Sequence, residues 1–302
     1  MLGSKVVRSP ARAGRTLRRS APARDTLELA ARLDRLRGVE PHPGPRSPVE
    51  VLATRSDLAG SVAVAEVLSN DEWPPAEPRV DDGRWLANHV RVRLESSGRW
   101  LEKTLADPTR GRSPLPGAAR VHRAVTEESA RPGRPDDWLV AIADNLGRVW
   151  AHRCLAVVRT LRREAARLRK ESAADLFALG PQAARLERLD AALRRSLAAA
   201  RGDADQALAD RFGGAFAALL VSFVEAHEDP STLELGAVEH FLRAGPAAEL
   251  RSDLDGALRA AFREERALLE SLVRACIDRA STASEEAHPE PEAAPAAESQ
   301  PS

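Results

Sequence analysis

Three features of the chain predict an all-α protein. Apolar residues recur every three or four positions through most of its length, Pro and Gly fall between those runs, and aromatics are scarce, with six Phe, five Trp and no Tyr. A three-to-four spacing is the period of one helix face, where a strand needs strict alternation. Few aromatics leave a core of Leu, Ala and Val, which suits packed helices. The expected architecture is a long antiparallel helical hairpin or bundle in the C-terminal half. Shorter helices on Pro-rich joints fill the N-terminal half, and both termini are expected to be disordered.

Residues 1–24 hold seven basic side chains from Lys5 to Arg24 and no acid, which reads as a disordered basic arm. Residues 25–130 form a short-helix region. Leu27, Ala30, Leu33 and Leu36 share one face of a first helix, and a rigid Pro-rich linker follows Glu40. Ser47 caps the next helix, with Pro48 at its first position and Glu50 completing a capping box. Its stripe runs through Leu52, Leu58, Val62, Ala65 and Leu68 before Pro74-Pro75 breaks the chain. A helix from Gly83 to Ala106 carries Trp85, Leu86, His89, Val92, Leu94, Trp100, Leu101 and Leu105. A Pro-rich loop leads to a short helix over 117–130, and a soft boundary falls at 131–135.

Residues 136–280 are the long-helix bundle around which the chain is organised. Trp138, Ile142, Leu146, Trp150, Cys154, Val157, Leu161, Ala165 and Leu168 make one uninterrupted stripe up to Gly180-Pro181. Asp136 supplies a cap, and the helix approaches about 60 Å in length at the standard rise. Leu186, Leu189, Leu193 and Leu197 form a second stripe. Arg201-Gly202-Asp203 reads as a turn, and a third stripe follows in Leu208, Phe212, Phe216, Leu219 and Phe223. Short connections make neighbours antiparallel, so three helical arms with coiled-coil-like packing are expected. Ser231 and Glu234 suggest another capping box, and Gly245-Pro246 opens the last helix. Residues 281–302 carry five Glu and no Lys or Arg, the pattern of a disordered acidic tail.

Formal net charge is zero, against a dominant polyanion-binding role. The distribution is uneven. Residues 136–201 carry 13 basic and 8 acidic side chains, net +5, whereas 203–279 carry 8 and 15, net −7. Either these helices lie side by side and complement each other, or each presents its charge to a different partner. Arginine does nearly all the basic work, with lysine only at 5, 103 and 170. That is the coding bias of a GC-rich bacterial genome before it is nucleic-acid chemistry. Cys154 and Cys276 both fall on apolar stripes and suit buried free thiols in a reducing cytoplasm. The longest apolar run, Phe212 to Val224, falls short of the ~20 residues of a membrane span, so no transmembrane segment is expected.

Sequence motifs of catalysis are missing: no phosphate-binding Gly-rich loop, no dinucleotide fingerprint, no nucleophile elbow. Glu225, His227, Glu228 and Asp229, with His240 folding back, are the nearest approach to a metal set, and their spacing suits a solvated turn better. His152 and Cys154 sit two apart on a helix and point away from each other. The densest basic patch spans Arg159 to Lys170. Within it Arg159, Arg163, Arg167 and Lys170 lie along one face, a candidate interaction ridge without interleaved aromatics for base stacking.

The run from Gly180-Pro181 through Leu186-x-x-Leu189-Asp190, with Arg211-Phe212 some twenty residues on, resembles an uncharacterised proteobacterial family, domain of unknown function 3348. The resemblance centres on residues 136–225. It implies a cytoplasmic accessory to an envelope-associated assembly and carries no catalytic residues. The Pro-rich stretches between 40 and 135 and the acidic tail depart from the family pattern. The function expected is that of a non-catalytic helical adaptor or scaffold without cofactor or metal. It would bind protein partners or a second copy of itself. The alternative is a nucleic-acid-associated protein that uses the basic arm and the Arg159–Lys170 ridge.

Overall fold

The uninterrupted stripe after Pro135 forms one helix of 41 residues, Trp138–Ala178, because no breaker intervenes before Gly180. The computed structural model describes residues 83–109 and 113–287, together with Val62, Glu66, Val67 and Ser69. Those four residues are helical, as the pattern after Pro48 predicts. The basic arm, the Leu27–Leu36 helix, the Glu40 linker, the Ser47 capping box and the tail beyond Ala287 lie outside the described residues.

The described elements are α1 (Arg84–Ala106), α2 (Ala118–Ser129), α3 (Trp138–Ala178), α4 (Pro181–Ser196), α5 (Ala198–Glu225), a 3-10 turn (Pro230–Thr232), α6 (Leu235–Arg243) and α7 (Pro246–Ala287). The fold is all-α, with no strand among the described residues. Contacts set the directions of the helices. From Gly83 through Gly98 to Glu102, the α1 arm meets Ile277, Phe262 and Arg259 of α7, so the two run antiparallel. Along α3, Arg153 lies beside Asp255 and Arg169 reaches Glu265, so α3 and α7 run parallel. Arg162 pairs with Asp205 and Gly147 abuts Gly213, so α5 runs antiparallel to α3.

α4 and α5 are one arm. The turn expected at Arg201-Gly202-Asp203 is absent, since these residues lie inside α5, and the break sits at Leu197 instead. Two long arms with a kink therefore replace the expected three. The reason lies in the stretch between Leu197 and Leu208, which has no large apolar residue. Arg201 and Asp205 take the inward positions there and pair with Glu265 and Arg162, carrying the helix across the gap. A real reversal occurs at Gly180, whose φ of 124° lies in the range that glycine tolerates, with Pro181 opening α4.

Three end signals differ from expectation. Asp136 does not cap α3; Asp137 stands at the N-cap without a side-chain bond, and Trp138 N–H donates to the Pro135 carbonyl at 3.2 Å. The box of Ser231 and Glu234 does not form. Asp229 accepts from Ser231 N–H at 2.9 Å, making the 3-10 turn, and Glu234 caps α6 through its backbone position alone. Residues 281–287, expected in the tail, continue α7, because no Pro or Gly intervenes until Pro289.

The core has two ends. At one, Trp150 stacks on Phe216 at 4.8 Å and Phe223 on Phe241 at 4.5 Å, with Phe212 and Leu220 buried between α3 and α5. His122 of α2 bonds the Leu233 carbonyl at 2.8 Å and ties α2 to the turn before α6. At the other end Leu86, Val90, Leu94, Leu176, Ala183, Leu269 and Cys276 pack α1, α3, α4 and α7 together. By length and composition α5 is apolar enough to cross a membrane, with a mean hydropathy of 1.5 in its best window. Its helix is longer than the run read from the sequence. Phe212, Phe216, Leu220 and Val224 are nonetheless buried, as in a helix that completes a protein core.

Candidate interaction surfaces

Every residue of the predicted ridge, Arg159, Arg163, Arg167 and Lys170, is exposed on the outer face of α3. Steps of seven and four residues back along that face reach His152 and Arg148, also exposed. The basic line thus runs from 148 to 170, about 33 Å at the helical rise. The sequence reading stopped at Arg159 because the preceding turns were assigned to the buried stripe. The same helical steps, continued backward, would have found the other two residues. No acid stands on this line. Glu164 and Glu171 lie to one side, toward α1, where Glu171 accepts from Arg167 Nε at 2.7 Å and faces Arg93 at 3.5 Å. Arg163 folds along its own helix, donating to the Arg159 carbonyl and the Thr160 hydroxyl.

Arg162 and Arg169, neighbours of the ridge in sequence, point inward. Arg169 is 5% exposed, and its Nη1 donates to Glu265 Oε2 at 3.1 Å. Asp190 lies 3.8 Å from its Nε and Arg201 lies 3.5 Å from the other Glu265 oxygen. Arg162 donates to Asp205 at 2.8 Å, and burial pushes the Asp205 carboxyl above its usual range despite that partner. These pairs join α3, α4, α5 and α7 around the Leu197 kink. The opposite charges of residues 136–201 and 203–279 meet here inside the bundle.

A second surface lies on α1. Its tryptophans and aliphatics read as one set in the sequence, and the fold divides them. Leu86, Val90, Leu94, Leu101 and Leu105 are buried, while Trp85, Val92 and Trp100 stand 56%, 46% and 39% exposed. Trp85, His89, Val92, Ser96 and Trp100 succeed one another by three or four residues and so share a face. Trp85 stacks on His89 at 5.3 Å. Between α1 and α3 runs a groove of about 230 Å³, walled by Ser96, Ser97 and Trp100 on one side and Thr160 and Glu164 on the other. Trp100 and Thr160 thereby line the same groove, and the Thr160 hydroxyl accepts from Arg163 Nη2 at 3.2 Å.

The remaining sequence candidates stay apart. His227 bonds the Phe223 carbonyl through Nδ1 at 2.8 Å and packs edge-on to that ring, and Asp229 is engaged with Ser231. Among the described residues no group of three His, Cys, Asp or Glu side chains is placed to hold a metal ion. Cys154 is buried and His152 exposed, on different sides of α3. Burial pushes both thiols up to about 12, which keeps them protonated and unreactive. Comparisons of the chain with protein-family models, curated proteins and solved structures found no match in any of the three.

Proposed function

We propose that this protein is a non-catalytic helical adaptor that binds a partner helix on the outer face of α1. The observation that carries the reading is the exposed line of Trp85, Val92 and Trp100 on a helix whose opposite face is already buried. Exposed Trp in line on a rigid helix is the anchor type that dominates binding energy at protein interfaces. A groove of about 230 Å³ beside Trp100 suits a side-chain knob better than a free ligand, whose pockets start near 300 Å³. The resemblance to domain of unknown function 3348 adds the setting, a cytoplasmic accessory to an envelope-associated assembly.

A tagged pull-down from the native cell, with and without nuclease, tests the reading by mass spectrometry. The adaptor reading expects a few proteins, or a second copy of the chain, to persist after nuclease and to disappear with Trp85→Ala/Trp100→Ala. Retention of the same proteins by that variant sinks it. A nucleic-acid reading is favoured by the exposed Arg159, Arg163, Arg167 and Lys170 on one face of α3, with Trp100 lining the groove alongside. It expects capture that vanishes with nuclease and an affinity that falls steeply with salt.

A further inference from the structure

The seam between α1 and α3 carries more cations than acids at its Trp100 end. Arg99 adjoins Trp100 in the chain and Lys103 follows within one turn, both exposed on α1. The acids nearest to them are engaged elsewhere. Glu95 pairs with Arg91 at 2.8 Å, and both Glu102 oxygens accept from Arg259 at 2.9 Å. Asp107 accepts from Thr109 and faces Arg153. On the α3 side Glu171 lies between Arg167 and Arg93, and Glu164 faces Arg167, so two acids there balance two cations. What remains in excess is Arg99 and Lys103 on α1, and the exposed Arg163 of α3, which is bonded to Thr160 in the groove wall.

We infer that the partner helix is acidic: it lies along the α1–α3 seam with carboxylates flanking the apolar residue that it seats beside Trp100. The inference rests on the adaptor reading and adds the partner's chemistry. The seam is straight. Arg93 meets Glu171 where Trp100 meets Thr160, so α1 and α3 run antiparallel along it. From Trp85 through Val92 to Trp100 the apolar line covers about 22 Å in steps of two helical turns, the spacing of one stripe on a docked helix. Leu161 and Leu168 floor the groove and take an apolar side chain. Arg99 and Lys103 then stand on one flank of the docked helix and Arg163 on the other, and carboxylates within one turn of the seated residue meet both flanks. A phosphate backbone fits the seam less well, because it would carry its charge past Glu164 and Glu171, whereas a helix carries acids only at chosen turns.

Two synthetic helical peptides of roughly twenty residues, alike in a Leu stripe at two-turn spacing, test this against the full chain. One has Glu on both sides of its last Leu and the other has Lys there. Fluorescence anisotropy of the labelled peptides should show the acidic one binding at least about tenfold tighter at low salt, with the difference narrowing as salt rises. Arg99→Gln/Lys103→Gln/Arg163→Gln should abolish the preference, and Trp85→Ala/Trp100→Ala should weaken both peptides. Equal binding, binding of neither peptide, or a preference that survives the Gln variant overturns the inference. A single-stranded oligonucleotide that binds tighter than the acidic peptide through the same three cations also overturns it, because nucleic acid is then the occupant. The two readings fail separately. An overturned inference leaves intact the loss of captured proteins by Trp85→Ala/Trp100→Ala, whereas a failed adaptor reading removes that loss as well.

Discussion

Gly147 and Gly213 bring the α3 and α5 backbones together. A Cβ on Gly147 would lie 2.5 Å from the Gly213 carbonyl oxygen, and one on Gly213 would lie 2.8 Å from the Gly147 oxygen. Neither obstacle is a movable side chain, so the helices themselves must part. Gly147→Ala is expected to lower stability by about 1–3 kcal/mol in urea unfolding, although alanine is the better helix former. Gly214→Ala, one residue from the crossing with nothing within 4 Å, should instead raise it by up to about 1 kcal/mol. Equal effects at both sites would deny the close crossing. Arg169 carries a second residue-scale argument. Its Nη1 bonds Glu265, while its Nε and Nη2 have no hydrogen-bond partner. Glu265→Ala leaves a buried guanidinium facing Asp190 at 3.8 Å, and a loss of about 3–5 kcal/mol is expected. Arg169→Met/Glu265→Met should recover most of it, since a packed apolar pair needs no desolvated charge. If the double variant is as unstable as the single, the ion pair contributes net stability of its own.

Elements were legible where one period ran without a breaker. The stripe from Trp138 to Leu168, bracketed by Asp136 and the break at Gly180-Pro181, announced α3 to within two residues at each end, and Gly180-Pro181 announced its reversal. The α4–α5 arm was not legible. A reading that follows apolar residues sees a gap from 198 to 207 and puts a turn at its glycine. The inward residues there are Arg201 and Asp205, whose partners Glu265 and Arg162 are distant in sequence, so nothing local marks them as buried-side groups. The same limit hid half of the candidate surfaces. Which aromatics of α1 face outward depends on where α3 and α7 sit, and the 3.6-residue period alone assigns Trp85 and Leu86 to one helix without choosing between them. Gly202 decides between turn and helix. It does not have a positive φ, it lies within α5, and a Cβ there meets nothing within 4 Å. Gly202→Ala is therefore expected to stabilise the protein by about 1 kcal/mol. A turn with glycine in the left-handed region would make the same change destabilising.

At the scale of the whole bundle, α3 and α7 run through both ends of the core, and every other long helix among the described residues packs on one or both of them. A fold joined in this way should unfold as one unit, because neither end can open without releasing helices that the other end needs. The two cysteines report on the two ends separately. Cys154 lies on α3 where that helix meets α5, and Cys276 lies on α7 among Leu86, Leu176 and Ala183. Both are fully buried with thiols pushed up to about 12, so neither should react with a thiol reagent at pH 8 in the native state. With urea, labelling followed at each cysteine by peptide mass spectrometry should give transitions that coincide with each other and with loss of helix by circular dichroism. An earlier midpoint for Cys276 would mean that α1, α4 and the end of α7 detach while the α3–α5 crossing holds. The α1 face and the basic line of α3 would then belong to parts that move independently, and a partner gripping both would have to bridge a joint instead of a rigid surface.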